Sequence, residues 1–369
     1  MECVQETITT LHAYDDVNPP APVNRAAVVV PLTGRDCKTP AATQVFSTLA
    51  TVGPERVVVA LRSDPNGVGD AVDWLEGFDL PVTVLWCDAP AVETALTRAG
   101  LAGDGTGGKG QDVWLALGLV RDAEYVVVHD ADATSYDHTH VPRLLFPLAN
   151  GHEFSKGYYA RVENNRLYGR LCRLFVLPLV RTLAVDHGGD LLRYLAAFRY
   201  PLAGEFAATG DLVRSLRLPR DWGLEIGTLG DAFTATGAAG TAQVDLGTYE
   251  HDHRPVAGHT GLGEMARDVG RTLFTLLEER GVDIDYGSLP DRYRDHGRRL
   301  VEQYATDAAF NGLDHGIEAE RAQVDRYAGA ITPPDADDRL PAWQSAPVDP
   351  DRVAERSAEA LAGIGATPR

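Results

Sequence analysis

The sequence predicts an α/β protein with a mainly parallel central sheet and a helical C-terminal extension. Four short apolar runs carry this reading: AAVVVPL (26–32), ERVVVAL (55–61), PVTVLWC (81–87) and YVVVHD (125–130). They are continuous and β-branched, which suits strands covered on both faces. Helical spacing fills the intervals near 40–51, 68–78, 89–99 and 110–121. A chain of 369 residues, 44% apolar and 24% charged, has the length of about two domains and enough apolar surface for a folded core.

Taken in order, residues 1–24 form a polar, Pro-containing arm. The strand–helix alternation that follows predicts βαβ units with right-handed crossovers. Ligands of such sheets gather beyond the carboxyl ends of the strands. PLTGR (31–35), LRSDPNG (61–67), the glycine-rich 103–110 and HDADATS (129–135) therefore fall on one face. The pattern then changes. Residues 166–199 read as helix broken near Asp186–Gly189, YPLAGEF (200–206) as a loop, and 207–217 and 223–236 as helices. TAQVDLG (241–247) alternates like a half-buried strand, and YEHDHRP (249–255) is a polar loop. Helices follow near 261–280, 290–307 and 308–329, and the acidic, Pro- and Ala-rich 331–369 reads as a loosely held tail. No internal repeat is visible.

Acidic residues number 53 and basic residues 34, a formal net charge of −19. That field repels nucleic acid and anionic lipid. Only Lys38, Lys109 and Lys156 are lysines, and acid-rich, lysine-poor composition is what a salt-loaded cytoplasm favours, so a halophilic microbe is expected. Cys3, Cys37, Cys87 and Cys172 form no CxxC pair, which signals neither a zinc site nor a disulfide framework. MECVQET lacks the basic start of a secretory signal, and no uncharged apolar run approaches the roughly 18 residues of a membrane span. A cytoplasmic protein is expected.

Five constellations could carry chemistry. Asp130 and Asp132 close an apolar strand, where two carboxylates one residue apart can hold Mg²⁺ or Mn²⁺ and leave positions for phosphates; an acidic turn is the plainer alternative. Gly107–Gly108–Lys109–Gly110 opens a helix whose N–H groups and ammonium suit a diphosphate, although it is not a Walker A loop. His251–Asp252–His253–Arg254 could complete a cation's shell or stand as solvated loop residues; His138 and His140 read as surface loop. Gly169–Arg170 opens an amphipathic helix reaching Pro178 and could grip an anion. Gly204–Glu205 and Gly223–Leu224–Glu225 place carboxylates in apolar surroundings, as functional acids or as caps and ion-pair partners.

The ordered set resembles the glucosyl-3-phosphoglycerate synthases, retaining glycosyltransferases of GT-A type. The resemblance runs through VVVPL (28–32), GGKG (107–110), VVVHDAD (126–132), SKGYYAR (155–161), YGRLCRLFVLPLV (168–180), YPLAGEFA (200–207), GLEIGTLGD (223–231) and QVDLGTYEHDHRP (243–255). It implies a Rossmann-like GT-A fold with a nucleotide-sugar half (25–150), an acceptor half (151–260) and helices at 261–330 that supply a homodimer interface. It also implies a divalent metal, UDP-glucose as donor and 3-phosphoglycerate as acceptor. Pro31, Leu32 and Ser63 would line the donor pocket. Lys109 would hold the diphosphate, with Asp130 beside the ribose or metal. Asp132 and His251 would bind the metal, and Glu225 would lie by the transferred sugar. Gly169, Arg170, His253 and Arg254 would grip the acceptor. Three positions depart from the family: Thr33–Gly34–Arg35 in the first loop, Cys172 two residues after Arg170, and His253.

Two other readings compete. VVVHDADAT (126–134) also fits a haloacid-dehalogenase-type phosphatase, with Asp130 as nucleophile and Asp132 as general acid. That motif normally opens its fold, whereas about 125 residues precede it here. A non-catalytic nucleotide-sugar-binding homologue would share the fold without the transfer.

Overall fold

The computed structural model describes residues 7–13, 19–103, 107–250, 258–335 and 337–366, with the side chains of 258–260 outside the description. Ten strands occur among the described residues: β1 (Thr9–Leu11), β2 (Ala26–Thr33), β3 (Arg56–Arg62), β4 (Val82–Trp86), β5 (Tyr125–Val128), β6 (Phe154–Ala160), β7 (Val162–Glu163), β8 (Arg166–Leu167), β9 (Phe206–Thr209) and β10 (Thr241–Thr248). Eight of them form one sheet in the order β1-β10-β6-β9-β5-β2-β3-β4, and β7 and β8 form a separate ribbon. Every pairing in the large sheet is parallel except those of β9, which runs antiparallel to β5 and β6.

The four apolar runs are strands β2 to β5, and the helices between them are Pro40–Val52, Val68–Leu75, Pro90–Arg98 and Lys109–Leu119. Strand β2 does not stop at its proline but continues through Pro31 and Leu32 to Thr33. Proline is tolerated there because β5 ends opposite Val29: His129 N already donates to Val29 O, and the side to which Pro31 would donate has no further strand.

Four expectations are corrected. Residues 207–217 are not one helix: FAAT (206–209) is β9, filling the gap between β5 and β6 with buried Phe206, Ala207 and Ala208, and the helix is Gly210–Ser215. Strand β10 is not half-buried. Its polar Gln243 is fully buried and donates to Thr10 Oγ1 (3.1 Å) and Ala197 O (3.2 Å), so the alternation is internal hydrogen bonding rather than an exposed face. The helix assigned from 166 begins later. After β8, Gly169 has φ +75°, and a π-helical turn, Cys172–Val176, leads into Leu177–His187. Pro178 carries no N–H for the Leu174 carbonyl four residues earlier, and the Tyr293 hydroxyl donates to that carbonyl instead.

The fourth correction concerns the tail. Residues 337–366 pack against the sheet's β4 edge and the Lys109–Leu119 helix. Trp343 stacks on Trp114 at 4.0 Å and donates to Trp114 O (2.7 Å), while Trp114 donates to Pro341 O (2.7 Å). Helix Pro350–Gly363 brings Ser357 Oγ to accept from Trp86 N at 2.8 Å, covering the exposed edge. The Pro, Ala and Asp that suggest looseness hide Leu340, Trp343, Val353 and Leu361, all buried. The extension helices Gly258–Glu278, Leu289–Phe310 and Ile317–Tyr327 pack with residues 172–187.

Candidate functional site

The site lies beyond the carboxyl end of β5. Buried valines carry the chain to His129, after which Asp130–Ala131–Asp132 turns outward. Lys109, the first residue of its helix, places Nζ 2.7 Å from Asp130 Oδ1 and 3.5 Å from Glu225 Oε1. Burial lowers the Lys109 pKa, but Asp130, Glu225 and Asp132 outweigh it and hold the ammonium well above its ordinary value. Glu225 comes from the first turn of helix Leu224–Thr236. The structure thus brings Lys109, Asp130, Asp132 and Glu225 together from three separate elements.

Glu205 completes the cluster from behind. It is 1% exposed, its Oε2 has no hydrogen-bond partner, and burial, then Asp130, push its carboxyl up to about 8. Its neighbour Gly204 is required by close approach, since a Cβ there would sit 2.3 Å from Asp130 Oδ2. Lys156 on β6 is fully buried, donates to Ala203 O, and is pushed down by burial to about 8, although Glu225 and Glu205 oppose this. Two of the chain's three lysines therefore serve this one cluster, and the scarcity that singles out Lys109 could also have found Lys156.

The loop after β10 joins from the other side. Tyr249 OH donates to Asp132 Oδ1 at 2.9 Å. Thr134 N donates to Glu250 O (2.8 Å), and Glu250 N donates to Ser135 Oγ (3.1 Å). His251, expected as a metal ligand, and His253 and Arg254, expected at the acceptor, lie outside the described residues. Among the described residues, no three His, Cys, Asp or Glu side chains form a metal cluster by themselves. The donor set still fits a hard cation. Asp130, Asp132, Glu205 and Glu225 offer only oxygen, Glu205 Oε2 is unpartnered, and four carboxyl groups face the ammonium of Lys109 and the more distant Lys156.

Of the residues expected to line the donor pocket, Pro31 and Leu32 lie within β2, and Ser63 follows β3. Ser63 N donates to Asp88 Oδ1 (3.0 Å), and Trp86 Nε1 donates to Ser63 O (2.9 Å). Gly34 N donates to Arg62 O (2.8 Å), so the altered first loop stays tied to β3. Around the residues expected to grip the acceptor, Gly169 is held against Tyr200, Arg170 is exposed, and Cys172 is buried with its thiol pushed up to about 12 by burial. His140, read as surface loop, is buried instead; it packs at 4.7 Å from Tyr136 because it opens helix His140–Ala149 under the sheet. His138 is exposed as expected.

No family model matches the sequence. Over 357 residues the chain is 32% identical to the glucosyl-3-phosphoglycerate synthase of Methanococcoides burtonii, an alignment covering 90% of this chain and 88% of that one. Over 265 residues it is 36% identical to the glucosyl-3-phosphoglycerate synthase of Persephonella marina, covering 68% and 66%. Its fold is similar to a crystal structure of the Mycobacterium tuberculosis glucosyl-3-phosphoglycerate synthase in complex with Mn²⁺, uridine-diphosphate and glucosyl-3-phosphoglycerate. The TM-score is 0.52 at 26% identity, covering 70% of this chain and 81% of that one. These relatives displace the phosphatase alternative, and the mainly parallel sheet with flanking helices is the GT-A arrangement. The chain belongs to the glucosyl-3-phosphoglycerate synthase family.

Proposed function

We propose that this chain transfers glucose from UDP-glucose to 3-phosphoglycerate with retention at the anomeric carbon, in a reaction that requires Mg²⁺ or Mn²⁺. The observation that carries the proposal is the convergence of Lys109, Asp130, Asp132 and Glu225 at the end of β5. Asp132, with His251 and the donor's own phosphates, would hold the cation. When bound, such a cation neutralises charge on the departing diphosphate. Lys109 would add an ammonium to a diphosphate oxygen. Glu225, anchored on a helix and within reach of Lys109, would orient the sugar. The acceptor would lie on the Gly169–Arg170 side, and the leaving phosphate would take its proton.

The acidic composition, −19 overall, supports a halophilic, cytoplasmic setting, and the helices at 258–327 offer faces for a homodimer. No helix among the described residues is long and apolar enough to cross a membrane. The test is incubation in molar KCl with Mg²⁺ or Mn²⁺ and a panel of nucleotide sugars, with and without 3-phosphoglycerate, read by mass spectrometry. Glucosyl-3-phosphoglycerate with UDP supports the proposal. Donor turnover without that product removes the acceptor, and no turnover at all favours the non-catalytic reading. Sedimentation of the same sample tests the dimer.

A further inference from the structure

Three buried or half-buried arginines of this chain have matched acceptors. Arg173 makes a two-pronged pair with Glu320 (2.6 and 3.2 Å), Arg62 does the same with Asp112 (2.6 and 2.8 Å), and Arg143 donates to backbone carbonyls. Arg161, just beyond β6, differs. No carboxylate among the described residues pairs with it. Among the described residues its Nε is buried without a partner, and its Nη1 lies 3.5 Å from the Tyr200 hydroxyl. Tyr159, Tyr200 and Tyr249 surround it. Tyr159 stacks on Tyr249 at 4.2 Å and lies 5.0 Å from Tyr200, and the guanidinium sits 5.9 Å from the Tyr249 ring centre.

Its position joins the two sides of the site. Tyr249 donates to Asp132, so one side of the tyrosine cage adjoins the DxD loop. Tyr200 lies so close to Gly169 that a Cβ there would be 2.6 Å from its hydroxyl, and Tyr168 N donates to Arg161 O, so the cage also adjoins the Gly169–Arg170 loop. A largely desolvated cation held by neutral hydroxyls and rings is incomplete without an anion. In a chain of net charge −19 such a cation is also the local feature that would offset the repulsion of an anionic substrate.

We propose that Arg161 binds an oxyanion, carboxylate or phosphate, of the acceptor. This rests on the proposed function for the class of acceptor but not for the anion site itself. Arg161→Met and Arg161→Lys in the full chain test it. Calorimetry would measure binding of 3-phosphoglycerate, D-glycerate, glycerol 3-phosphate and inorganic phosphate, alongside steady-state kinetics. Arg161→Met should weaken 3-phosphoglycerate at least about tenfold, with the KM for UDP-glucose within about twofold of wild type, and Lys should restore part of the loss. The analogue whose affinity no longer differs between wild type and Arg161→Met lacks the group that Arg161 holds. Equal 3-phosphoglycerate affinity in wild type and Arg161→Met overturns the proposal, as does an equal loss for donor and acceptor. If Arg161→Met does not fold, the acceptor-against-donor split in Arg161→Lys decides by the same criteria. If wild type makes no product from 3-phosphoglycerate, the proposed function falls. Inorganic phosphate and acetate binding then judge Arg161 alone, an unchanged affinity for both in the variant overturning it.

Discussion

Replacing Lys109 by Met separates the two electrostatic jobs assigned to this residue. The thioether keeps most of the side chain's length and removes its charge. In the free protein the ammonium lies 2.7 Å from Asp130 and 3.5 Å from Glu225, with Asp132 and Glu205 also facing it. In the donor complex it would contact the diphosphate, and a hydrogen bond to a charged group is worth about 1.5–3 kcal/mol. At about 1.4 kcal/mol per decade, kcat/KM for UDP-glucose should fall about 10- to 150-fold. The effect on the metal runs the other way. Loss of the positive charge leaves the carboxylates facing one another, so Mn²⁺ titrated in the absence of nucleotide should bind more tightly than in wild type. The Lys109 and Asp130 side chains are 25% and 22% exposed, so water screens the orphaned carboxylate and the variant should stay folded, checked by a thermal melt. A folded variant with kcat/KM within about threefold of wild type would refute the donor role. Weaker Mn²⁺ binding would refute the placement of Lys109 among metal-facing carboxylates.

Other perturbations reach different links of the same chain of reasoning. Gly204→Ala drives a Cβ toward Asp130 Oδ2, 2.3 Å away, and should lower kcat/KM by about tenfold to a hundredfold while far-ultraviolet circular dichroism is unchanged. Glu205 titrates in the fold near 8 against an ordinary 4.5, so its contribution to stability is complete below about pH 4.5 and is lost as pH rises through about 8. Glu205→Gln removes that titration. Its melting temperature should match wild type near pH 5 and exceed it increasingly toward pH 8, and a gap independent of pH would count against the buried acid. Trp343→Ala removes a buried indole stacked on Trp114 and should cost about 3–5 kcal/mol in urea unfolding, where a loosely held tail would cost almost nothing.

Strands β2, β3 and β5 were legible because each is buried on both faces and reads as an unbroken apolar run, as in VVVAL (57–61). The strands that follow residue 200 were harder for a physical reason. Gln243 and Thr241 are buried polar residues on β10, and their hydrogen bonds lie inside the fold, so periodicity mistakes them for an exposed face. FAAT is too short and too alanine-rich to announce β9, and its strand character comes from lying between β5 and β6. Among site residues, Lys109 and the two aspartates stood out by residue type at strand and helix ends. Tyr249 and Arg161 did not, because a tyrosine in a polar loop and one arginine among many carry no local signature. The hydrogen bond to Asp132 and the lack of a carboxylate partner among the described residues distinguish them.

The glycines around Lys109 show how a motif can be located correctly and explained incompletely. GGKG reads as a cradle for phosphate, yet a Cβ on Gly110 would lie 1.9 Å from Pro219 O, and one on Gly108 would lie 1.9 Å from Asp221 Oδ1. Gln111 N donates to Arg220 O at 2.9 Å, so the helix start is seated on the 219–221 backbone, which leads directly into the helix carrying Glu225. The middle of the Lys109 helix is clamped by the Trp114–Trp343 stack. These glycines therefore serve close backbone packing as well as any phosphate. Their effect is to fix the distance between Lys109 and Glu225, two residues 116 positions apart in the chain. A site assembled in this way depends on the junction between its halves, and substitutions at Gly110 should uncouple Lys109 from Glu225 even in a protein that still binds nucleotide.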